Sequence, residues 1–136
     1  MNGYLLDTDA IIAILRASTE VRSRLEQAQR EGKPVFISAL SYYETKRGLI
    51  RAGAIRQAQD FEKLCERIGI LTLTKAVLDR AAQMYADLAQ QGQLIEDADI
   101  LIGATAIEYG LVLITGNRRH FARIEGLLIE DWMVRE

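Results

Sequence analysis

The sequence predicts an α/β fold organised around a mostly parallel sheet of four to five strands. Short apolar runs without polar alternation recur along the chain, and such runs are typical of strands covered on both faces. Between them lie longer stretches whose apolar residues repeat at three- and four-residue spacings, as in helices. Strands that alternate with helices in this way build parallel sheets.

The predicted strands are short and are followed by polar residues. They cover residues 4–6, 35–37, 70–73 and 111–114, with a short edge strand at 127–129. Asp7 follows the first strand, Glu44 comes after the second, and Asn117 follows the fourth. Since ligands of open parallel sheets bind outside the carboxyl ends of the strands, these residues are candidates for a site.

The predicted helices have recognisable start signals. They cover residues 10–15, 18–30, about 38–52, 54–67, 75–91 and a stretch that ends near 109. Thr8 or Asp9 is expected to cap the first helix, and Ser38 or Ser41 to open the third. Ser41 with Glu44 three residues later matches a capping box, which gives Glu44 a purely structural explanation.

The stretch 95–107 is apolar nearly all round beyond its first residues, as expected for a helix buried in a core. Three carboxylates, Glu96, Asp97 and Asp99, crowd its amino end. Their structural explanation is that Asp97 caps the helix, while Glu96 and Asp99 interact favourably with the positive end of the helix dipole. Because a helix turns by about 100 degrees per residue, Asp97 and Asp99 cannot face one site. Asp99 shares a face with Ile102, so we expect it to be the carboxylate at the edge of the core.

Composition limits the function classes that need to be considered. The 136 residues are 49% apolar and 26% charged, which suits one globular domain over residues 1–136. A net charge of −2 gives no bulk attraction for nucleic acid, so a polyanion would have to bind a local patch. The sequence has no apolar run of membrane-spanning length and no signal-peptide pattern at its amino end, so a cytoplasmic protein is expected.

Cysteine and histidine each occur once, and this excludes further chemistry. Cys65 alone cannot form an internal disulfide or a cysteine-based zinc site. His120 alone cannot build a histidine metal site, and its polar surroundings favour a surface residue over a catalytic base. The metal ligands that this chain can offer are therefore oxygen atoms, which suit Mg²⁺ or Mn²⁺.

Four polar residues are gathered at one edge of the sheet by the predicted topology: Asp7, Glu44, Asp99 and Asn117. Individually they have structural explanations as caps, a capping-box partner and a turn residue. Three carboxylates in one partly buried site repel one another unless a cation lies among them. A cation held there lowers the pKa of a bound water and stabilises a phosphate under attack, so phosphodiester hydrolysis is the predicted chemistry.

Five ordered segments of the chain resemble PIN-domain ribonucleases. They are Leu5-Leu6-Asp7-Thr8-Asp9, Ser38-Ala39-Leu40-Ser41-Tyr42-Tyr43-Glu44 with Gly48, Asp99-Ile100-Leu101-Ile102-Gly103-Ala104-Thr105-Ala106, Leu113-Ile114-Thr115-Gly116-Asn117 with His120-Phe121, and Glu130-Asp131-Trp132. Their order and spacing are similar to those of VapC-type toxins of bacterial type II toxin-antitoxin pairs, over essentially the whole chain. The resemblance implies the three-layer α/β/α sandwich of PIN-like proteins.

The same resemblance implies roles for particular residues. Asp7, Glu44 and Asp99 would be the metal-binding acids, and Asn117 occupies the fourth catalytic position, where aspartate is frequent. The candidate accessory residues are Thr8, Asp9, Asp97 and Thr115. The two threonine hydroxyls are placed to orient water or phosphate.

The resemblance also implies a mechanism and partners. A water activated by Mg²⁺ or Mn²⁺ would cut single-stranded or looped RNA, with tRNA as one candidate, and leave a 5′-phosphate and a 3′-hydroxyl. The expected partners are a cognate VapB-like antitoxin, whose carboxyl-terminal segment lies along the active-site groove, and a second copy of the chain in a homodimer. The candidate RNA-binding residues are Arg47, Arg118 and Arg119, with Arg16, Arg51 and Arg123 as further arginines. For Arg16 a solvated surface position is the favoured interpretation.

Three alternatives are left open by the residues. A PIN-like module that binds RNA or protein without cutting would explain the neutral Asn117. An aspartate-nucleophile phosphatase would use Asp7, although such chemistry needs a lysine near the later acids, and Lys75 is the only lysine after Lys63. In the third alternative the acids are purely structural.

Overall fold

Five parallel strands form the centre of the computed structural model, which describes residues 3–133. In sheet order they are β3 (Gly69–Leu71), β2 (Val35–Ser38), β1 (Gly3–Leu6), β4 (Leu111–Ile114) and β5 (Ile129–Glu130). The predicted parallel sheet is confirmed. The third strand is shorter than predicted, because it ends at Leu71. The edge strand begins at Ile129, two residues after its predicted start.

The central strand β1 aligns the ends of its two neighbours. Leu6, at its carboxyl end, pairs with Ile37 of β2 and with Ile114 of β4. The backbone N–H of Asp7 continues this ladder and donates to the carbonyl of Ile114 at 2.9 Å. The residues that follow β1, β2 and β4 therefore meet at one edge of the sheet.

Helices cover both faces of the sheet, which confirms the three-layer α/β/α sandwich. They are α1 (Thr8–Leu15), α2 (Thr19–Arg30), α3 (Ala39–Ala52), α4 (Ile55–Arg67), α5 (Lys75–Gln90), α6 (Asp97–Glu108) and the short α7 (Arg118–Phe121). One buried apolar cluster contains side chains of α1 to α4 and includes Leu6. The other contains side chains of α5 to α7 and includes Leu5, so successive residues of β1 serve opposite layers.

The helix α6 is buried on nearly every side, as its sequence predicts. Residues 100, 102 and 103–106 are all buried. A Cβ atom at Gly103 would lie 2.7 Å from Cδ1 of Ile124, so glycine permits the close approach of this segment to α6. The burial of the helix holds its first turn, with Asp99, at the edge of the core.

The first helix starts earlier than predicted. Its N-cap is Asp7, whose Oδ1 accepts the N–H of Thr8 at 2.8 Å, so the predicted caps Thr8 and Asp9 are wrong. At α6 the N-cap position is Glu96 and its side chain makes no capping hydrogen bond, so the predicted cap Asp97 is also wrong. Asp97 is instead the first residue of the helix, with an exposed side chain.

The third helix begins after Ser38 and contains no capping box. The Ser38 hydroxyl oxygen accepts the N–H of Ser41 at 3.0 Å, and the side chain of Ser41 lies buried inside the first turn. The predicted capping-box role of Glu44 is therefore wrong, and Glu44 is available for other contacts. Within residues 3–133, no helix has the length and apolar character that a membrane span requires.

The burial of β1 leads to a stability prediction. Leu5 is fully buried in the centre of the sheet, so Leu5→Ala should lower the free energy of unfolding by about 2–5 kcal/mol. Leu78→Ala on α5, where the leucine is 47% exposed, should change it by less than about 0.5 kcal/mol. Urea unfolding of both variants measures the difference, and equal losses would contradict the assigned core.

Candidate active site

An open cleft of about 820 Å³ lies at the carboxyl edge of the sheet, and it brings the four predicted catalytic residues together. Its polar wall contains Asp7, Asp9, Glu44, Asp99 and Asn117. Arg16 and Arg47 are the two arginines that line it. Residues from α1, α3, α6 and the turn after β4 thus converge on one space, as the parallel topology predicts.

Asp7 is the most buried carboxylate of the cleft. It is only 7% exposed, and its Oδ2 accepts the hydroxyl hydrogen of Thr115 at 2.8 Å, while Oδ1 caps α1. The pKa of Asp7 is raised to about 7, chiefly by burial; the charges of Asp9 and Asp99 add to the rise, and the hydrogen bonds from Thr115 and Thr8 oppose it. Asp7 therefore loses its proton near neutral pH.

Thr115 connects β4 to the acidic residues. Its hydroxyl donates to Asp7 and at the same time accepts the backbone N–H of Asn117 at 3.0 Å. The resemblance implied that this hydroxyl could orient a water or phosphate. The side chain is fully buried, however, so the hydroxyl is not exposed to a ligand in the cleft. It holds a carboxylate and a backbone turn instead.

Glu44 projects from the second turn of α3 and is half-buried. Its Oε1 accepts the hydroxyl hydrogen of Thr8 at 3.1 Å, a contact between residues far apart in the chain. Thr8 thus has the same function for Glu44 that Thr115 has for Asp7. Both threonines orient carboxylates.

The single histidine lies beside both Asp99 and Asn117, and the tautomer of its ring decides which of them Nδ1 binds. Nδ1 of His120 lies 3.1 Å from Oδ2 of Asp99 and 3.2 Å from Nδ2 of Asn117. As expected of a surface residue, 38% of the His120 side chain is exposed, but the ring also contacts candidate site residues. Its position three residues after Asn117, one turn along a helix, was the signal in the sequence that places the two side chains together.

Asp9 lies at the mouth of the cleft and holds the turn after β4. Its Oδ2 accepts the backbone N–H of Gly116 at 2.9 Å. Although the residue as a whole is exposed, the chain crowds its carboxylate, and this desolvation raises the pKa of Asp9; the charge of Asp131 adds to the rise. The other acidic accessory candidate, Asp97, does not line the cleft.

The arginines are distributed differently from the prediction. Arg16, for which a solvated surface position was the favoured interpretation, is exposed and also lines the cleft together with Arg47. Arg118 and Arg119 are exposed on α7 outside the cleft lining. Arg123 donates to the carbonyl oxygens of Gln93 and Leu94 at 3.4 and 3.1 Å, so it fastens the connection between α5 and α6.

The donor chemistry of the cleft suits a hard divalent cation. Its candidate ligand atoms are carboxylate and amide oxygens, and the pKa of Asp7 is raised first by burial and then by the like charges of Asp9 and Asp99, which a cation would offset. Within residues 3–133, however, no three side chains of His, Cys, Asp or Glu form a group that could hold one metal ion. Glu44 and Asp99 are instead turned to Thr8 and His120.

The fold and the cleft define an α/β protein with an acidic, oxygen-donor site at the carboxyl edge of a parallel sheet. The PIN domain profile matches residues 4–127. The tRNA(fMet)-specific endonuclease VapC of Shigella flexneri is 30% identical over 97% of this chain and 99% of that protein, and the ribonuclease VapC2 of Haemophilus influenzae is 31% identical over 98% and 100%. Among solved structures, DNA-bound VapBC from Salmonella typhimurium superposes with a TM-score of 0.87 at 28% identity, over 97% of this chain and 99% of that chain.

The chain therefore belongs to the PIN domain family, in its VapC group. The resemblance that the sequence carries is confirmed by these matches, which extend over nearly the full chain.

The pKa of Asp7 leads to a pH prediction. Because this pKa rises from 3.8 to about 7 on folding, the folded state holds the proton more tightly than the unfolded state. The free energy of unfolding that protonated Asp7 contributes is complete below pH 3.8 and is lost as the pH rises from there through 7. The difference between the two pKa values corresponds to about 4 kcal/mol. Asp7→Asn, which cannot ionise, should gain that amount relative to wild type between pH 4 and 8.

Urea unfolding in the presence of a chelator measures this pH dependence. Asp97→Asn, at an exposed carboxylate outside the cleft, should keep the wild-type pH dependence. A stability difference between Asp7→Asn and wild type that does not change with pH would contradict the raised pKa.

The double contact of Thr115 leads to a second prediction. Thr115→Val keeps the side-chain volume but leaves the N–H of Asn117 and one oxygen of Asp7 without their partner, so it should destabilise the protein by about 1–3 kcal/mol. Thr105→Val is the matched control, since this hydroxyl is equally buried but donates only to the Leu101 carbonyl within α6. Thermal and urea unfolding should show the larger loss at Thr115, and equal losses would argue against its bridging role.

Proposed function

We propose that the protein is a metal-dependent endoribonuclease and the toxin of a toxin-antitoxin pair. The observation that carries the proposal is the convergence of Asp7, Glu44, Asp99 and Asn117 on one cleft in which the pKa of Asp7 is raised to about 7. The names of the relatives from Shigella flexneri and Haemophilus influenzae, an endonuclease and a ribonuclease, support the same activity.

In this proposal Asp7, Glu44 and Asp99 are the ligands of Mg²⁺ or Mn²⁺, and Asn117 adds a neutral oxygen. When bound, the ion supplies an activated water and stabilises the charge that develops on the phosphate. Thr8 and Thr115 orient Glu44 and Asp7 through their hydroxyls. Nδ1 of His120 lies within hydrogen-bond distance of Asp99, and with its hydrogen on that nitrogen it donates to the carboxylate.

The proposed substrate is single-stranded or looped RNA, which is hydrolysed to a 5′-phosphate and a 3′-hydroxyl. Arg16 and Arg47 line the same cleft as the carboxylates, so they are the arginines best placed to contact the phosphates beside the cut. The specificity in the name of the Shigella flexneri relative makes a tRNA the first substrate to test.

The proposed partner is a VapB-like antitoxin, since the similar Salmonella typhimurium structure contains VapBC. The cleft presents several carboxylates, so an antitoxin segment that carries an arginine would complement it. A homodimer and a cytoplasmic location belong to the same proposal.

A second candidate function is a PIN-like module that binds RNA or protein without cutting. Two observations favour it: Asn117 is neutral, and within residues 3–133 no three potential ligands are drawn together as a metal group. The phosphatase alternative has less support, because Lys75 forms an exposed ion pair with Asp79 at 2.8 Å and does not line the cleft.

Cleavage of RNA by the purified protein tests the proposal. We expect tRNA or total RNA to be cut with Mg²⁺ or Mn²⁺ and to stay intact with chelator. Asp99→Asn should lower cleavage by about a hundredfold or more, as expected when a charged group of a catalytic site is lost. Mapping of the cut ends should give a 5′-phosphate.

The matched control is Asp97→Asn, which changes a neighbouring carboxylate that does not line the cleft and should retain activity. If a folded, antitoxin-free protein binds RNA but does not cut it in either metal, the binding module becomes the correct account. If Asp99→Asn and Asp97→Asn lose activity equally, the assignment of the site is wrong.

A further inference from the structure

The helix α3 carries two tyrosines that each lie beneath a cation four residues later, and the two pairs differ in their surroundings. In the first pair, Nζ of Lys46 lies 5.3 Å from the ring centroid of Tyr42. In the second, the guanidinium carbon of Arg47 lies 5.0 Å from the ring centroid of Tyr43. The contrast between the surroundings of the two pairs shows what is particular to the second.

The pair of Tyr42 and Lys46 is closed by other contacts. Lys46 forms an ion pair with Glu62 at 2.9 Å, and the hydroxyl of Tyr42 donates to the same carboxylate at 3.2 Å. The ring of Tyr42 also packs against Phe61 with 5.4 Å between centroids. These contacts join α3 to α4, so this pair has a structural function.

The pair of Tyr43 and Arg47 is open. Tyr43 is 57% exposed. Arg47 lines the cleft with the carboxylates, yet among the ion pairs and hydrogen bonds of residues 3–133 it has no acidic partner. Its positive charge and the ring of Tyr43 are both available to a ligand.

The chemistry of this pair fits one part of an RNA strand. A guanidinium stacked on an aromatic ring offers a flat surface for a nucleobase and a positive charge for the phosphate beside it. Glu44, a proposed metal ligand, lies between Tyr43 and Arg47 in the sequence and lines the cleft with Arg47. Arg47 is therefore the member of the pair that reaches the cleft with the proposed metal ligands.

We propose that Tyr43 and Arg47 form a stacking subsite for one unpaired nucleobase next to the phosphate that enters the cleft. This inference rests on the proposed function, in that it takes RNA to be the ligand of the cleft. The subsite selects unpaired RNA because a base within a duplex cannot present its face to a protein side chain. A protein segment is the other class of ligand, and an unpaired arginine beside an acidic cleft favours the polyanion.

Binding of short RNAs in chelator tests the subsite without cleavage. The probes are a fluorescein-labelled uridine decamer and an abasic ribose-phosphate decamer of the same length and charge, measured by fluorescence anisotropy. We expect Tyr43→Leu to weaken uridine decamer binding by about tenfold and to leave abasic decamer binding within twofold. Tyr43→Phe should retain the wild-type affinity for both decamers, because the ring is kept.

Arg47→Lys separates charge from stacking. It keeps the positive charge but removes the planar guanidinium, so the salt dependence of binding should be unchanged while uridine decamer affinity falls by about threefold. Tyr85→Leu is the matched control, since Tyr85 is a 49% exposed tyrosine on α5, and it should bind both decamers as wild type does. Leucine is a good helix former, and circular dichroism of each variant verifies the fold.

The outcomes distinguish the subsite from the proposed function. Equal weakening of both decamers by Tyr43→Leu, or no weakening of either, would overturn the subsite, and loss of antitoxin binding alone would assign the surface to a protein. The binding measurement contains no metal, so it does not depend on cleavage. A wild-type protein that stacks uridine through Tyr43 but never cuts RNA would retain the subsite and refute the nuclease.

Discussion

The burial of Asp7 between the ends of β1 and β4 is the constraint on which the rest of the site depends. The register of the two strands pairs Leu6 with Ile114 and sets Asp7 beside Thr115. In this position the carboxylate caps α1, accepts the Thr115 hydroxyl hydrogen and lies almost out of reach of solvent. The cost of that burial appears in the raised pKa of Asp7. A register shift of one residue would separate Asp7 from Thr115 and turn the β1 side chains to the other layer.

Each remaining carboxylate of the cleft is held by a group from a different part of the chain. Thr8 binds Glu44, His120 binds Asp99, and the backbone of Gly116 binds Asp9. These bonds join α1, α3, α6 and the turn after β4, so the acids are ordered although they repel one another. Arg16 and Arg47 line the same cleft as the carboxylates. The cleft is therefore suited to an anionic ligand that binds together with a metal cation.

The sequence predicts the sheet and the convergence of four site residues because both follow from local patterns and parallel topology. Short apolar runs identify the strands, and residues after those runs must meet at one edge. Contacts between distant residues are not encoded in such patterns. Ser38 and Ser41 offer equal local capping signals, and the structure shows that Ser38 opens the helix while Glu44 turns to Thr8, a contact that no local pattern indicates. The contact of His120 with Asp99 was not predicted for the same reason, since the two residues lie 21 positions apart in the chain.

The neutral side chain at position 117 is consistent with the electrostatics of the cleft. The pKa of Asp7 is already about 7 in the presence of Asp9 and Asp99, and an additional carboxylate at position 117 would add a further like charge. An amide supplies an oxygen without that charge, and its nitrogen lies 3.2 Å from Nδ1 of His120. The backbone N–H of Asn117 is also bound, by the Thr115 hydroxyl that holds Asp7. Asn117 thus lies between the two halves of the acidic site, Asp7 with Thr115 and Asp99 with His120, and adds no negative charge to them.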